Sequence, residues 1–175
     1  MNLFLRLAIR AAFYPSLIFN RMMCVAGVWH RWDWVDPQLA LGALPTRREL
    51  ERLRDAGVGG IVNMCSEFPG HRETMARCGI EQIHLPTVDF QSPGLADIDA
   101  AIAFIQRIRA AGAKVYVHCK AGRGRGATVA IAYLMRTRGL TLEAAWRAVA
   151  AARPQIDRRL RRRTVLQQLE QRQTP

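Results

Sequence analysis

The hydrophobic positions of this chain form two kinds of run, short apolar stretches rich in β-branched residues and longer ones with helical spacing. The two kinds alternate. Residues 29–35 and 39–44 predict two short strands joined by a turn at Asp36-Pro37. Thr46-Arg47-Arg48-Glu49 has capping-box spacing and predicts a helix to about Ala56, ended by Gly57. Residues 58–64 form an apolar run of the kind buried in a sheet. Residues 72–77 predict a short helix and residues 82–85 another strand. A loop over 86–94 leads to a helix from about Leu95 to Ala111, with Ile98, Ile102, Ile105 and Ile108 on its buried side.

The second half continues the alternation. Val115-Tyr116-Val117-His118 reads as a strand, and residues 127–135 are apolar nearly all round, as in a core helix. Leu142, Ala145, Trp146, Val149 and Ala150 follow helical spacing behind a cap at Thr141. Arg158, Arg159, Arg161, Arg162 and Arg163 fall on a last helix, as a solvated face or a basic contact surface. Strands alternating with helices predict an α/β domain, a mainly parallel central sheet flanked by helices, over residues 29–175.

Residues 1–28 differ. They are apolar but carry Arg6, Arg10 and Arg21, and no acidic residue precedes Asp33. No uncharged run reaches the ~18 residues that span a bilayer, and Arg6 and Arg10 interrupt any secretory signal. Arg6 and Arg10 share one helical face opposite Leu3, Phe4, Leu7, Ala8 and Ala11. Three readings remain: a helix lying in a membrane surface, an arginine-containing transit segment, and an extra helix packed on the domain. The first is the expectation carried forward, which makes residues 1–28 an apolar, basic membrane-associating segment. The clustered tryptophans at 29, 32 and 34 suit packing against the sheet better than a membrane belt.

Composition sharpens this picture only in part. The 26 Lys+Arg residues outnumber 14 Asp+Glu, for a net charge of +12. Such a balance favours anionic partners; a phosphorylated substrate and an anionic membrane surface are expected, and nucleic acid is not. Cys24, Cys65, Cys78 and Cys119 show neither CxxC pairing nor metal spacing. With a thiol that must stay free, they imply a reducing compartment, the bacterial cytoplasmic side or a mitochondrion.

The candidate chemistry sits between the strand ending at His118 and the helix opening at Arg125. A strand, a tight glycine-containing loop and a helix N-terminus aim several backbone N–H groups at one spot, an anion cradle. Cys119 opens the loop and Arg125 closes it. A thiol among N–H dipoles and fixed positive charge ionises below its ordinary pKa of about 8.5. Lys120, Ala121, Gly122, Arg123 and Gly124 form the loop, whose glycines let the backbone approach a ligand. The bland alternative is a buried structural cysteine beside a loop that binds sulfate or a nucleotide.

The His-Cys-x-x-Gly-x-x-Arg spacing of His118, Cys119, Gly122 and Arg125 resembles the active-site loop of the cysteine-dependent tyrosine and dual-specificity phosphatases. The resemblance implies the protein tyrosine phosphatase-like fold and a phosphocysteine intermediate. Cys119 is then the nucleophile, Arg125 the bidentate phosphate ligand, His118 an orienting residue and Asp89, 30 residues before Cys119, the general acid. No metal or other cofactor is implied. Phe13-Tyr14-Pro15, Val35-Asp36-Pro37, Leu41-Gly42-Ala43-Leu44-Pro45 and Thr87-Val88-Asp89 extend the resemblance to the mitochondrial-type phosphatidylglycerophosphate phosphatases. The implied substrate is a membrane phospholipid, with phosphoinositides or phosphoproteins as alternatives. Lys120 and Arg123 also resemble the basic loops of phosphoinositide phosphatases.

Two departures stand out. Gly126 occupies the position where the family has a Ser or Thr hydroxyl to stabilise the departing thiolate. This leaves open a phosphate-binding protein without turnover, or a stand-in hydroxyl from Thr128. Of an acidic patch that the lipid phosphatases carry after the third strand, only Glu67 is present.

Overall fold

The computed structural model describes residues 13–173. The membrane-surface helix expected near residues 2–13 lies outside the described residues. The chain runs through α1 (Phe13–Val25), β1 (Trp32–Asp36), β2 (Leu39–Gly42), α2 (Arg47–Asp55), β3 (Val58–Cys65), α3 (Arg72–Arg77) and β4 (Glu81–Thr87). It continues through α4 (Leu95–Ala110), β5 (Lys114–His118), α5 (Arg125–Arg138), α6 (Leu142–Ala152), a 3₁₀ turn (Arg158–Arg162) and α7 (Thr164–Gln173).

The five strands form one sheet in the order β1-β2-β5-β3-β4, with β1 antiparallel to β2 and every other pairing parallel. β5 lies at the centre. Its residues alternate between faces, as the two-residue period of a strand requires: Val115 and Val117 enter the larger core and Tyr116 the smaller one. The larger core takes Ile98, Ile102, Ile105 and Ile108 of α4, the apolar body of α5, and Leu166 and Leu169 of α7. The smaller core is closed by Leu50 and Leu53 of α2 and Met75 of α3. Every residue from Arg125 to Met135 is buried, so α5 is the central helix its all-round apolar pattern predicts.

Local signals explain most boundaries. Thr46 and Glu49 form the reciprocal capping box of α2, and Gly57 follows at φ +89°. The Thr141 hydroxyl caps α6 by accepting from the Ala144 N–H. One detail differs from expectation. The arginine run forms a 3₁₀ turn rather than the last helix, because Asp157 caps it by accepting from the Arg159 N–H and Leu160 is buried. α4 is preceded by Gly94 with no side-chain cap, while Asp97 lies in its first turn and Asp99 pairs with Arg136 at 2.7 Å.

Candidate active site

Parallel pairing sets the site. Across the C-terminal end of the sheet, His118 of β5 stands opposite Gly42 of β2 on one side and Asn63 of β3 on the other. The loop after β5 therefore emerges between those two neighbours, at the carboxyl ends of the strands where open α/β sheets bind ligands. Gly122 turns at φ +65° directly against β2; a Cβ there would meet the Gly42 carbonyl oxygen at 2.3 Å. Only glycine fits both demands.

The inner face of the loop converges on Cys119. Burial pushes the thiol's pKa up, but the Arg125 charge and the N–H groups of Gly126, Gly122 and Gly124 outweigh it, and the net shift is downward. Cys65, equally buried but with less compensation, is held well above the ordinary thiol range. The two thiols thus differ in environment and not in burial.

Arg125 is 2% exposed. Its Nη1 donates to Glu67 Oε2 at 2.8 Å and to the Thr87 carbonyl at 2.7 Å, and its Nη2 donates to Glu67 Oε1 at 3.2 Å. Asp89 Oδ1 lies 2.9 Å from Nη2, and the other Asp89 oxygen pairs with Lys120. Among the described residues the buried Arg125 Nε has no partner. A guanidinium gripped on one side with a spare N–H is poised for an anion.

His118 is buried, stacks on Tyr116 and has its Nδ1 3.4 Å from the Cys119 carbonyl oxygen. Burial lowers its pKa to about 3, so the ring is neutral at physiological pH. A neutral ring in this position is suited to holding the loop and not to transferring protons.

The outer face of the loop shows what pattern reading missed. Arg153, at the end of α6, is fully buried. It donates from Nε to the Gly122 carbonyl at 2.9 Å, from Nη2 to the Ala121 carbonyl at 3.1 Å and from Nη1 to Asp33 at 2.7 Å. Asn63 was also missed. Its amide donates to the Phe68 carbonyl and accepts from the Cys65 N–H, which shapes the turn that carries Glu67. Glu67, the one residue of the acidic patch present, supplies a two-point clamp on Arg125 beside the Thr87 carbonyl and Asp89. The buried polar residue Asn63 in an otherwise apolar strand was the legible signal; nothing in the sequence marked Arg153.

Thr128 does not stand in for a hydroxyl at position 126. It donates to the Gly124 carbonyl at 3.0 Å and accepts from Arg163 Nη1 at 3.0 Å. A Cβ on Gly126 would lie 3.2 Å from Leu41 Cδ1 and 3.3 Å from the His118 carbonyl carbon, a tight fit against one movable methyl and one stretch of backbone.

A cavity of about 300 Å³ opens above Cys119. Asp89, Phe90 and Lys120 line it together with Arg123, Arg125 and Arg163, and Phe19 and Asn20 of α1 contribute another part of the lining. Among the described residues, no cluster of three His, Cys, Asp or Glu is placed to hold a metal ion.

The family model "Dual specificity phosphatase, catalytic domain" matches residues 39–172. The chain is 34% identical over 170 residues to Phosphatidylglycerophosphate phosphatase PTPMT2 of Arabidopsis thaliana, covering 95% of this chain and 75% of that protein. It is 37% identical over 158 residues to the human Phosphatidylglycerophosphatase and protein-tyrosine phosphatase 1, covering 84% and 78%. A solved structure of PTPMT1 in complex with PI(5)P superposes with a TM-score of 0.75 at 32% identity, over 82% of this chain and 97% of that one.

Proposed function

The chain belongs to the dual-specificity phosphatase family, and we propose that it removes the terminal phosphate of phosphatidylglycerophosphate at a membrane surface. The observation that carries the chemistry is the Cys119 sulfur facing the N–H groups of Gly122, Gly124 and Gly126 and the charge of Arg125. In the first step the thiolate attacks phosphorus, the P–O bond to the glycerol breaks, and Asp89, in its protonated form in the substrate complex, gives its proton to the departing oxygen. The phosphate takes the Arg125 Nε and competes with Asp89 for Nη2, which frees the carboxyl to face the leaving group. In the second step Asp89 takes a proton from water, water oxygen bonds to phosphorus, and the S–P bond breaks. Throughout, the loop N–H groups and Arg125 stabilise charge on the equatorial oxygens. His118 remains neutral and positions the loop.

The lipid assignment rests on the named relatives and on the surface around the cavity. α1 buries Leu17 and Asn20 while Ile18, Phe19, Met22, Val25 and Val28 are exposed. Phe90, at φ +67° on the loop that carries Asp89, is 84% exposed. Phe19 and Phe90 both reach the cavity mouth. An apolar patch beside the substrate entrance, on a chain of net charge +12, suits an anionic lipid surface. No helix among the described residues is long and apolar enough to cross a membrane, so the reading is of peripheral docking on the side of a reducing compartment. Residues 1–28 then form the docking segment and residues 29–175 the catalytic domain.

The test is an assay of purified protein on phosphatidylglycerophosphate in anionic vesicles, phosphoinositide vesicles and a phosphotyrosine peptide. The highest kcat/KM is expected on the first, and a preference for the peptide overturns the lipid assignment. Within the same assay, Met22→Ser with Val25→Ser lowers the rate on vesicles while hydrolysis of a soluble aryl phosphate persists. Equal rates on vesicles before and after the change remove α1 from the docking surface. Asp89→Asn slows the lipid, an alkyl ester, far more than the aryl ester, whose leaving group needs little protonation. Equal losses on both would take the acid role from Asp89.

A further inference from the structure

The arginine run after α6 divides in a way its sequence does not show. Arg158, Arg159, Arg161 and Arg162 are exposed. Arg163 turns inward, lines the same cavity as Cys119 and presses its guanidinium against the phosphate loop; Nη2 lies 3.4 Å from where a Cβ on Gly124 would be. Its Nη1 is held by the Gln91 carbonyl at 3.2 Å and by Thr128 Oγ1 at 3.0 Å. Arg123 is held on the same cavity, over the Trp29 ring at 4.6 Å and by Nε donating to the Gln155 carbonyl at 2.7 Å.

Neither arginine has a carboxylate within ion-pair distance among the described residues. Asp157 also lines the cavity, yet its Oδ1 accepts from the Arg159 N–H. Burial lowers the pKa of Arg163, partly opposed by the charges of Asp157 and Cys119. A half-buried guanidinium held only by neutral groups costs stability that an arriving anion returns. Asn20, 3% exposed, belongs to the same lining, and its buried Oδ1 has no partner among the described residues.

We propose that Arg163 and Arg123 form a second anion subsite, which holds the phosphodiester of a substrate while the cradle holds its phosphomonoester. Asn20 takes the hydroxyl of the link between the two phosphates. This rests on the reading above, in which the substrate carries both kinds of phosphate. The subsite makes the enzyme selective for a monoester tethered to a second phosphate, over a monoester alone.

The experiment compares soluble substrates: deacylated phosphatidylglycerophosphate and inositol phosphate esters with a second, diester phosphate, each against glycerol phosphate. Arg163→Gln touches the loop and lowers turnover of all of them. Its distinctive effect is a rise in KM about tenfold larger for the two-phosphate substrates than for glycerol phosphate, which is about 1.4 kcal/mol. Arg163→Lys restores part of that ratio, since it keeps the charge but not the fork. The same KM change on one- and two-phosphate substrates overturns the subsite. A wild-type enzyme that prefers the inositol esters would overturn the phosphatidylglycerophosphate assignment, yet leave the subsite standing if the KM ratio still follows the second phosphate.

Discussion

Two arginines, both almost fully buried, lie on opposite faces of one loop. Arg125 stands on the inner face, gripped by Glu67 and the Thr87 carbonyl, with Nε left over for a ligand. Arg153 stands on the outer face and bonds two loop carbonyls and Asp33. The difference follows from backbone chemistry. A loop that aims its N–H groups inward must aim its carbonyls outward, and buried carbonyls need donors. Here each one has a donor. The Lys120 carbonyl accepts from the Leu44 N–H, those of Ala121 and Gly122 from Arg153, that of Arg123 from the Asp157 N–H, and that of Gly124 from the Thr128 N–H and hydroxyl. An anion cradle is therefore half of a two-sided object, one cation facing substrate and the other holding the shape.

The comparison is broken most severely on the inner face. Cys119→Ser abolishes turnover and keeps phosphate binding, and Arg125→Lys loses roughly 10³-fold in kcat/KM, because an ammonium cannot supply the fork. Both keep most of the folding stability. Substantial hydrolysis by Cys119→Ser, or near-normal rates for Arg125→Lys, would contradict the inner-face roles.

Arg153→Met breaks the outer face. Removing a buried cation strands Asp33 and two carbonyls, at a cost of about 3–5 kcal/mol by urea unfolding. Activity falls as well, about a hundredfold, because the cradle loses its geometry. If stability is unchanged while activity falls, Arg153 acts on substrate and the two-sided account is wrong.

Gly126 lies where the faces meet, with its N–H on the sulfur and no hydroxyl beside it. Rapid-quench kinetics should show a burst of leaving group followed by slow turnover. Gly126→Ser should raise the steady rate a few-fold and shrink the burst, once Leu41 Cδ1 and the His118 backbone each give a few tenths of an ångström to the new Cβ. No burst and no gain would mean that another group stabilises the thiolate, and the structure gives Thr128 no such role.

A last test reads pH and not rate: the pH dependence of stability from His118, the ring at the root of the loop. Its folded pKa of about 3 lies below the ordinary 6.5, so the unfolded chain binds more protons between those values. Stability is therefore present above pH 6.5 and is lost as pH falls toward 3, by about 1.4 kcal/mol per pH unit at mid-window. His118→Asn should flatten that slope in unfolding titrations. An unchanged slope would place the titration elsewhere.

Periodicity, caps and the cysteine-to-arginine spacing by themselves determined the α/β alternation, the helix boundaries at Thr46 and Thr141, the central position of α5 and the inner face of the cradle. Those features are local: a hydrogen bond three residues away, a two- or 3.6-residue period, a strand–loop–helix turn. Only the tertiary structure decided the rest. Parallel pairing set Gly42 and Asn63 beside His118, 76 and 55 positions away in sequence. It gave Glu67 to Arg125, Arg153 to the loop's carbonyls, and α1 and Arg163 to the cavity. Arg153 reads as an ordinary polar residue at a helix end, and the polar Asn63 stands out in its apolar strand without showing its partner, because what a buried side chain bonds depends on which distant backbone the fold brings to it. That is a property of the assembled sheet and not of any window along the chain.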